Sequence, residues 1–283
     1  MKKVQVLMST YNGEKYLREQ IDSILAQKGV EVHLLVRDDG SKDKTIKILR
    51  EYNNIELLEA NNVGATNSFF ALITLAGDYD FYAFADQDDV WDEEKLIIAI
   101  QKLDEYVCPA IYSSNTRLVD GNLNFIRNET LKPITTLGSA IVKNYVTGCT
   151  AVFNAQLMRY LKQYTPKNAP FHDWWANLVC LSVGGVSVYD YEPHMNYRQH
   201  ENNVVSGNDS VWKKWISRFK KFNKPYHRDL MAREIKDNYA ELIKKEEEKV
   251  LASMINRKYT VEMSTGITID NILFRICLAL GRQ

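Results

Sequence analysis

Three carboxylates fall within four residues of this chain, at Asp86, Asp88 and Asp89, directly after an apolar run typical of a buried strand. Like charges held this close repel one another, and a hard divalent cation with oxygen ligands is a common way to offset that repulsion. Mg²⁺ or Mn²⁺ bound by one or two carboxylates keeps coordination sites for substrate phosphates. The alternative is an acidic loop that leads into the next helix, with Asp92 and Glu93 in its first turn.

Two other polar segments follow predicted strands. Residues 9–13 read Ser-Thr-Tyr-Asn-Gly, and residues 38–41 read Asp-Asp-Gly-Ser. The small residues of the first segment would let a ligand approach the backbone, and the helix that follows would offer free N–H groups to an anion. The acidic residues of the second segment could accept hydrogen bonds from a ribose hydroxyl or a base N–H. Plain capping by Asn12 or Ser9, and a turn at residues 38–41, are the structural alternatives. The carboxyl ends of parallel strands meet at one edge, so the segments predict a crevice for a nucleotide diphosphate. Neither Gly-x-Gly-x-x-Gly nor a P-loop sequence is present, which argues against those two nucleotide sites.

Two later segments carry further candidate groups. Asp173 stands beside Trp174 and Trp175, where aromatic walls suit a sugar face and a general base. An ordinary helix N-cap is the alternative for Asp173. His200 has the neutral imidazole that ligates metals, although a lone histidine is more often structural, and Arg198 suits a phosphate.

The hydrophobic pattern indicates which elements position these groups. Near-continuous apolar runs predict strands at residues 4–8, 32–36, 55–58 and 81–85. Helical spacing predicts helices at residues 14–27, 45–52, 68–76 and 93–106. The second part is more mixed, with strands predicted at 110–118, 147–153 and 186–191 and helices at 155–164 and 174–183. Buried strands that alternate with helices imply a parallel sheet covered on both faces.

The composition limits the classes of protein that fit. The chain has 283 residues, 45% of them hydrophobic and 25% charged, which suits one large globular domain or one domain with an appendage. Basic and acidic residues number 36 each, so no overall field favours a nucleic-acid partner. The four cysteines form no Cys-x-x-Cys pair, and such scattered thiols indicate a reducing, cytoplasmic compartment. No apolar run approaches the ~20 residues of a transmembrane helix.

A basic and aromatic strip occupies residues 212–222. Trp212, Trp215, Ile216 and Phe219 follow helical spacing, and basic residues occupy the other face of the helix. This pattern is typical of a helix that lies on an anionic membrane surface. A helix docked on the domain by its aromatic residues is the alternative.

Taken in order, these motifs resemble glycosyltransferase family 2, the inverting sugar-nucleotide transferases of GT-A fold. The matching segments are residues 9–13, 37–41, 62–64, 86–91, 172–174 and 197–200. The combination of Asp-Gln-Asp-Asp-Val-Trp, His-Asp-Trp and Tyr-Arg-Gln-His is most similar to bacterial rhamnosyltransferases of cell-wall and capsular polysaccharide synthesis, whose donor is dTDP-L-rhamnose.

The resemblance implies an α/β fold of GT-A (Rossmann-like) type, with a mostly parallel central sheet flanked by helices and a C-terminal helical extension. It implies a catalytic domain at residues 1–205, made of a nucleotide-binding half (1–106) and an acceptor-binding half (107–205), and a basic helical extension at 206–283. Asp173 would be the catalytic base, and Mg²⁺ or Mn²⁺ would bind Asp88, Asp86 and His200. The implied contacts to the nucleotide sugar are Ser9, Tyr11, Asn12, Glu14, Asp39, Asn67, Asp86, Trp174 and Arg198.

The predicted function is therefore metal-dependent, inverting transfer of a sugar, L-rhamnose from dTDP-L-rhamnose, in bacterial surface polysaccharide synthesis. The acceptor would be a saccharide or a polyprenyl-diphosphate-linked molecule at the inner face of the plasma membrane, and no nucleic acid is expected. A transferase that uses a UDP-hexose and a non-catalytic module that binds sugar nucleotides are the alternatives. A nucleotidyltransferase would leave Asp173 and the two tryptophans without a role.

Overall fold

Seven strands form the central sheet of the computed structural model, which describes residues 1–199 and 226–279. They are β1 (Lys2–Thr10), β2 (Val30–Asp38), β3 (Ile55–Glu59), β4 (Phe81–Ala85), β6 (Ala110–Ser114), β9 (Val152–Asn154) and β10 (Val186–Asp190). Their order across the sheet is β10-β6-β9-β4-β1-β2-β3. Only β9 runs against the others, between β4 and β6. The predicted mostly parallel α/β sheet is therefore present.

The register of the parallel strands brings the polar segments together. Thr10 at the end of β1 pairs with Asp38 at the end of β2, and Met8 pairs with Ala85 at the end of β4. β4 is buried along its whole length, as its apolar sequence predicts. The chain leaves all three strands at the same edge of the sheet, where open α/β sheets bind ligands.

Ten α-helices are described. They are α1 (Leu17–Leu25), α2 (Thr45–Leu49), α3 (Ala65–Leu75), α4 (Lys95–Leu103), α5 (Leu137–Val142), α6 (Ala155–Leu161), α7 (His172–Ser182), α8 (Arg228–Tyr239), α9 (Lys245–Ile255) and α10 (Thr268–Ala279). Alternate residues of β1 point to opposite faces, so Val6 packs with α1 and α4 while Leu7 packs with α3 and α5 to α7. α4 buries Leu96 and Ile100, one turn apart, as its spacing predicts.

The C-terminal helices share a core with the sheet. Met231 and Tyr239 of α8, Leu251 of α9 and Phe274 of α10 belong to the same buried cluster as Trp175 of α7. α7 therefore lies between the sheet and the C-terminal helices, and ten of its eleven residues are buried.

A smaller sheet lies beside the main one. Its order is β5-β11-β7-β8, from β5 (Val90–Trp91), β7 (Arg117–Val119), β8 (Phe125–Asn128) and β11 (Met195–Arg198). The strand predicted at 110–118 divides at Asn115, because its side chain bonds to the carbonyls of Leu131 and Tyr191 and turns the chain away from the main sheet. The strand predicted at 147–153 begins as a 3-10 turn at Gly148–Thr150.

Among the described residues, no helix is both long enough and apolar enough to cross a membrane. His200 and the basic strip at 212–222 lie outside the described residues.

Candidate active site

A crevice of about 540 Å³ opens at the carboxyl edge of β1, β2 and β4. Six of the residues predicted to bind substrate or metal line it: Ser9, Tyr11, Asp39, Asp86, Asp88 and Arg198. The other lining residues are Asn62, Gly64, Ala65, Phe69, Gln87 and Tyr197. The three strand ends thus meet at one crevice, as the sequence predicts, and residues at the start of α3 also line it.

Asp39 is the buried acid of the β2 end. Its Oδ1 accepts from the Val63 N–H and from Arg37, and its Oδ2 accepts from the Gly64 N–H, all within 2.9 Å. Asp39 therefore fixes the loop that precedes α3 at the mouth of the crevice. Asp38 points into its own turn, where Oδ2 accepts two main-chain N–H groups, as the turn alternative predicts.

Gln87 connects the acidic loop to the end of β1. Its Oε1 accepts from the Tyr11 N–H at 2.8 Å, and its Nε2 donates to the Tyr11 carbonyl at 3.2 Å. A Cβ on Gly13 would stand 2.5 Å from the Gln87 Oε1, so any other residue would displace the Gln87 side chain. The glycine in the first motif therefore leaves room for the acidic loop.

Asn12 and Glu14 face the neighbouring loop and do not line the crevice. The Asn12 Oδ1 accepts from the Lys42 N–H at 2.9 Å, and a Glu14 carboxylate oxygen accepts from the Lys44 N–H at 2.8 Å. Asn12 has φ of 49°, a left-handed conformation that asparagine tolerates. Their position supports a role in bracing the β2–α2 loop rather than in direct contact with a nucleotide.

Asn67 and Trp174 also lie outside the crevice lining. Asn67 is exposed on α3, and its amide donates to the Val63 carbonyl at 3.0 Å. Trp174 is 2% exposed, and its indole N–H donates to the Ala140 carbonyl at 2.7 Å. The expected contact of Trp174 with the sugar does not fit this placement, because α7 packs between two layers and turns both tryptophans into the core.

The acidic loop concentrates negative charge at the crevice. Removal from water, together with the nearby charges of Asp88 and Asp173, raises the pKa of the Asp86 carboxyl to about 7. The ligand atoms of Asp86, Asp89 and Cys149 all lie within 4.8 Å of one another. The metal ligands predicted from the sequence are instead Asp86, Asp88 and His200. Of these, the two aspartates are among the described residues and His200 is not.

A hard divalent cation fits the crevice side of this loop better than the buried side. Asp86 and Asp88 line the crevice and offer the oxygen ligands that Mg²⁺ and Mn²⁺ prefer. Asp89 is fully buried, and its Oδ1 accepts from the Arg198 N–H. Cys149 is a buried soft ligand, which suits neither ion well.

Lys95 places a cation in the core beneath the loop. It is 1% exposed, its Nζ lies 3.5 Å from the centroid of the Trp91 ring, and it has no hydrogen-bond partner within residues 1–199 and 226–279. Burial lowers the pKa of the Lys95 ammonium to about 7, while the charges of Cys149 and Asp89 oppose that shift. The lysine side chain is thus part of the charge balance beneath the acidic loop.

Arg198 braces the acidic loop from the small sheet. Its Nε donates to the Asp88 carbonyl at 2.7 Å, and its two terminal nitrogens donate to the Gly121 carbonyl and to Glu19. The guanidinium lies 4.1 Å from the centroid of the Tyr16 ring. If the Arg198 guanidinium contacts a phosphate, as predicted, it does so while already bonded to Asp88, Gly121 and Glu19.

Asp173 stands in the first turn of α7 and is 9% exposed. Its Oδ1 accepts from the Trp174 N–H at 2.6 Å and from the Asn144 amide at 3.1 Å. Phe171, not Asp173, occupies the N-cap position, and the Asp173 carboxylate satisfies a main-chain N–H of the first helical turn instead. Burial raises the pKa of the Asp173 carboxyl to about 6, even though these hydrogen bonds lower it. A carboxylate with this pKa suits a general base near neutral pH.

Several residues of the site were not identified from the sequence as site residues. Phe69 and Tyr197 line the crevice, Asn144 holds Asp173, and Lys95 lies under the acidic loop. Gln87 has a sequence signal, since it stands inside the acidic motif. Asn144 has none, because it lies on a loop without periodicity.

The chain is similar to one known family and to several characterised proteins. The family described as Glycosyl transferase family 2 matches residues 5–165. A dTDP-rhamnosyl transferase of Shigella flexneri, RfbG, is 32% identical over 225 residues, which is 74% of this chain and 76% of that protein. The poly(ribitol-phosphate) beta-N-acetylglucosaminyltransferase TarS of Staphylococcus aureus (strain Mu50 / ATCC 700699) is 29% identical over 178 residues, which is 59% of this chain and 30% of TarS.

Solved structures resemble the fold at lower identity. S. aureus TarS 1-349 in complex with UDP-GlcNAc aligns with a TM-score of 0.56 and 18% identity, over 99% of this chain and 92% of that one. The mannosyltransferase PcManGT from Pyrobaculum calidifontis, in complex with GDP-Man and Mn²⁺, aligns with a TM-score of 0.53 and 16% identity, over 99% and 88%. These neighbours confirm the predicted GT-A-like arrangement.

Proposed function

The chain belongs to glycosyltransferase family 2, and from this premise we propose that it is an inverting transferase that moves L-rhamnose from dTDP-L-rhamnose to a hydroxyl of a saccharide or a polyprenyl-diphosphate-linked acceptor. The observation that carries the proposal is the pairing of Asp173 with the acidic loop. The two lie close enough for the charge of Asp173 to raise the pKa of Asp86. A base close to a diphosphate-binding edge is what the proposed reaction requires.

The reaction follows from the chemistry of these groups. The Asp173 carboxylate removes the proton of the acceptor hydroxyl, and the oxygen forms a bond to the anomeric carbon of the donor. The bond from that carbon to the nucleoside diphosphate breaks on the opposite side, and the diphosphate leaves with the electron pair. Attack from the opposite side inverts the configuration, so a β-linked rhamnose donor gives an α-rhamnoside.

We assign the divalent cation, Mg²⁺ or Mn²⁺, to Asp86 and Asp88, with His200 as a further proposed ligand. When bound, the cation supplies positive charge that stabilises the departing diphosphate. The residues of the loop do the positioning: Gln87 ties it to β1, and Arg198 holds it through the Asp88 carbonyl. The Mn²⁺ named with PcManGT supports this assignment.

The nucleotide is proposed to lie along the ends of β1 and β2. Ser9, Tyr11 and Asp39 line that part of the crevice and supply hydroxyl, main-chain and carboxylate groups. Residues 1–106 would then provide most of the donor site, and residues 107–205 would provide Asp173 and the acceptor side. Residues 206–283 would form the extension that the resemblance implies.

The identity of the sugar rests on similarity. The name of RfbG supports rhamnose, whereas TarS in complex with UDP-GlcNAc supports a UDP-sugar as the second candidate. Thymine differs from uracil by one methyl group, worth only ~1–3 kcal/mol in a pocket. Contacts to the sugar must therefore contribute to the choice.

The test is a panel of sugar nucleotides, each assayed for release of nucleoside diphosphate with Mg²⁺, with Mn²⁺ and with EDTA. We expect cation-dependent release from dTDP-L-rhamnose above that from UDP-glucose, UDP-galactose and UDP-N-acetylglucosamine. A preference for a UDP-hexose would replace the donor but keep the transferase. Tight nucleotide binding without turnover of any donor would identify a binding module instead.

A further inference from the structure

Residues 142–144 join the end of α5 to the proposed base. The amide of Asn144 donates to Oδ1 of Asp173 at 3.1 Å, and its own Oδ1 accepts from the Val146 N–H at 3.1 Å. Because the amide oxygen is engaged by Val146, the amide nitrogen stays turned toward the carboxylate. The position of Asp173 therefore depends on where the backbone places Asn144.

Arg228, the first residue of α8, holds this segment in the interior. It is 2% exposed, and its Nε donates to the Val142 carbonyl at 3.0 Å. Its guanidinium also lies 5.4 Å from the centroid of the Trp174 ring. Arg228 thus contacts a residue just before Asn144 and the residue directly after Asp173. One side chain of α8 reaches both ends of the hydrogen bond that holds the base.

Asp270, in the first turn of α10, holds the next residue of the segment. Its Oδ2 lies 2.9 Å from Nζ of Lys143. The Asp270 side chain is 2% exposed and the Lys143 side chain 45%, so water screens this pair less than a fully exposed one. Lys143 stands between Val142 and Asn144 in the chain. Two C-terminal helices therefore grip consecutive residues, and the residue that follows them holds the base.

The helix α5, which leads into the segment, is held from the same direction. A Cβ on Gly138 would overlap the main-chain carbonyl of Glu262, in the 3-10 turn Val261–Met263. On its other contact, the Ala140 carbonyl accepts from the Trp174 indole N–H at 2.7 Å. α5 is thus fixed to both the C-terminal region and α7, and its end cannot move without disturbing one of them.

We propose that the C-terminal helices α8 and α10 position the catalytic base, with Arg228 and Lys143 as positioning residues that act through Asn144. Neither residue touches the reacting atoms. Each sets the distance and angle at which the Asp173 carboxylate meets the acceptor hydroxyl. The inference rests on the proposed function, since it takes Asp173 as the base, and it gives the C-terminal helices a part in the chemistry.

The pH dependence reports on the Asn144 contact. Burial raises the pKa of the Asp173 carboxyl to about 6, and the hydrogen bond from Asn144 opposes that rise. Loss of this bond should raise the pKa further, because it destabilises the carboxylate. The other titratable groups beside Asp173 are Asp86, whose pKa its charge raises, and His172, whose pKa burial lowers to about 3. Neither is changed by the substitutions below.

Lys143→Met and Asp270→Asn break the same ion pair but change the net charge in opposite directions. Lys143→Arg keeps the pair. Lys236→Met is the matched control, because Lys236 has a similar exposure of 40% and pairs with Glu248 at 3.1 Å, which joins α8 to α9. Arg228→Lys tests the other grip, since a lysine keeps the charge but loses the planar guanidinium. Thermal unfolding accompanies each variant.

The first readout is the rate of nucleoside diphosphate release from the best donor of the panel, measured across pH with glycerol and saturating Mn²⁺. We expect Lys143→Met, Asp270→Asn and Arg228→Lys to lower the rate at pH 7 by about tenfold, since a displacement of about 1 Å costs up to ~10²-fold. Lys143→Arg should keep most of the rate. Lys236→Met should match the wild type, and the dissociation constant for UDP or dTDP should stay within about twofold in all variants.

The direction of the acidic limb separates positioning from a direct effect of charge. Loss of the Asn144 contact moves the limb to higher pH in both Lys143→Met and Asp270→Asn. A through-space effect would move it to higher pH in Lys143→Met and to lower pH in Asp270→Asn, because the first removes a positive charge and the second a negative one. Opposite movements, or wild-type rates in both variants, would overturn the proposal.

A double-mutant cycle tests whether the effect passes through Asn144. In an Asn144→Ala background, Lys143→Met and Asp270→Asn should add less than about twofold to the loss, because residues that act through one shared contact are not additive. Simple structural damage would instead multiply the losses. Full additivity in both cycles would overturn the proposal.

The last readout does not depend on turnover. Amide hydrogen exchange at residues 142–147, followed by mass spectrometry, should be about tenfold faster in Lys143→Met and Asp270→Asn and unchanged in Lys236→Met. Wild-type exchange in both pair-breaking variants would overturn the proposal. If the wild type releases no diphosphate from any donor, the proposed function fails, and the exchange rates still decide whether α10 orders this segment.

Discussion

The side chain of Arg198 donates a 2.7 Å hydrogen bond to the main-chain carbonyl of Asp88. The arginine thus fixes the backbone of the acidic loop, and it does so from a strand of the small sheet. Since the same guanidinium also contacts Gly121 and Glu19, its planar shape matters more than its charge.

Arg198→Lys should therefore weaken cation use more than nucleotide binding. A lysine cannot reproduce three divergent contacts, and hydrogen bonds to charged groups are worth about 1.5–3 kcal/mol each. We expect the Mn²⁺ concentration for half-maximal diphosphate release to rise about tenfold or more. Glu19→Gln is the control, because Glu19 is half exposed and exposed pairs contribute little. A loss of UDP affinity with unchanged Mn²⁺ dependence would instead identify Arg198 as a phosphate ligand.

Asp88→Ala should abolish cation-dependent turnover while the fold survives. Asp88 lines the crevice, so its removal costs an oxygen ligand without opening the core. Diphosphate release across a Mn²⁺ titration measures the effect, and circular dichroism reports the fold. Asp92→Ala is the matched control, since Asp92 pairs with Arg117 outside the crevice. Unchanged activity and unchanged cation dependence in Asp88→Ala would refute the metal assignment.

Asp173→Asn should lower turnover by ~10²-fold or more, the usual contribution of a general base. The amide keeps the oxygen that accepts from Trp174 and Asn144, so donor binding should stay near normal. Single-turnover rates and UDP titration calorimetry separate the two effects. If donor binding is lost with turnover, Asp173 is a structural group or a donor contact.

The activity of the wild type should depend on pH through the Asp173 carboxyl. The pKa of this carboxyl is raised from 3.8 to about 6, so the carboxylate needed for catalysis is lost as the pH falls through 6. Turnover should fall on the acidic side of about pH 6, and Asp173→Asn should lack this limb. The experiment requires saturating Mn²⁺. The pKa of the Asp86 carboxyl is also raised, to about 7, so a proton competes with the cation for this carboxyl near neutral pH. A limb that moves with the Mn²⁺ concentration would belong to Asp86 instead.

Asp39→Ala should weaken nucleotide binding and lower stability together. It leaves Arg37 buried without its partner and frees the N–H groups of Val63 and Gly64 at the crevice mouth. Breaking a buried ion pair costs about 3–5 kcal/mol. Asp39→Asn keeps one acceptor and should lose less of both. Calorimetry with UDP and dTDP measures nucleotide affinity, and thermal unfolding measures stability. If Asp39→Ala binds the nucleotides as tightly as the wild type, Asp39 does not belong to the donor site.

The basic strip, which lies outside the described residues, predicts peripheral binding to anionic membranes. Its apolar positions supply burial, and its lysines supply attraction that salt weakens. Wild-type protein should sediment with anionic liposomes at low salt and less at high salt. Replacing Lys213, Lys214, Lys220 and Lys221 with Gln should remove most of this binding. Wild-type protein that stays in the supernatant under every condition would favour a docked helix.

The sequence predicted the main sheet and the polar edge because both depend on local signals. Buried parallel strands are near-continuously apolar, and the polar segments follow them directly in the chain. The small sheet was missed, since β5 has two residues and β7 has three, too few to show a period. The expected contact of Trp174 with the sugar failed for a different reason. Its indole faces the core and donates to the Ala140 carbonyl of α5, more than 30 residues earlier in the chain, and no local pattern carries that information.

The antiparallel strand β9 has a consequence for how the protein is made. It pairs with β4 on one side and β6 on the other, and the turn in front of it holds Gly148 beside Asp173. During synthesis, at roughly 5–20 residues per second, β4 and the acidic loop emerge seconds before their neighbour in the sheet. Until then one edge of β4, a mostly apolar strand, is unpaired, and such an edge invites aggregation. A nascent chain stalled before residue 152 should therefore bind chaperones and fail to retain nucleotide, whereas release past α7 should end both properties at once.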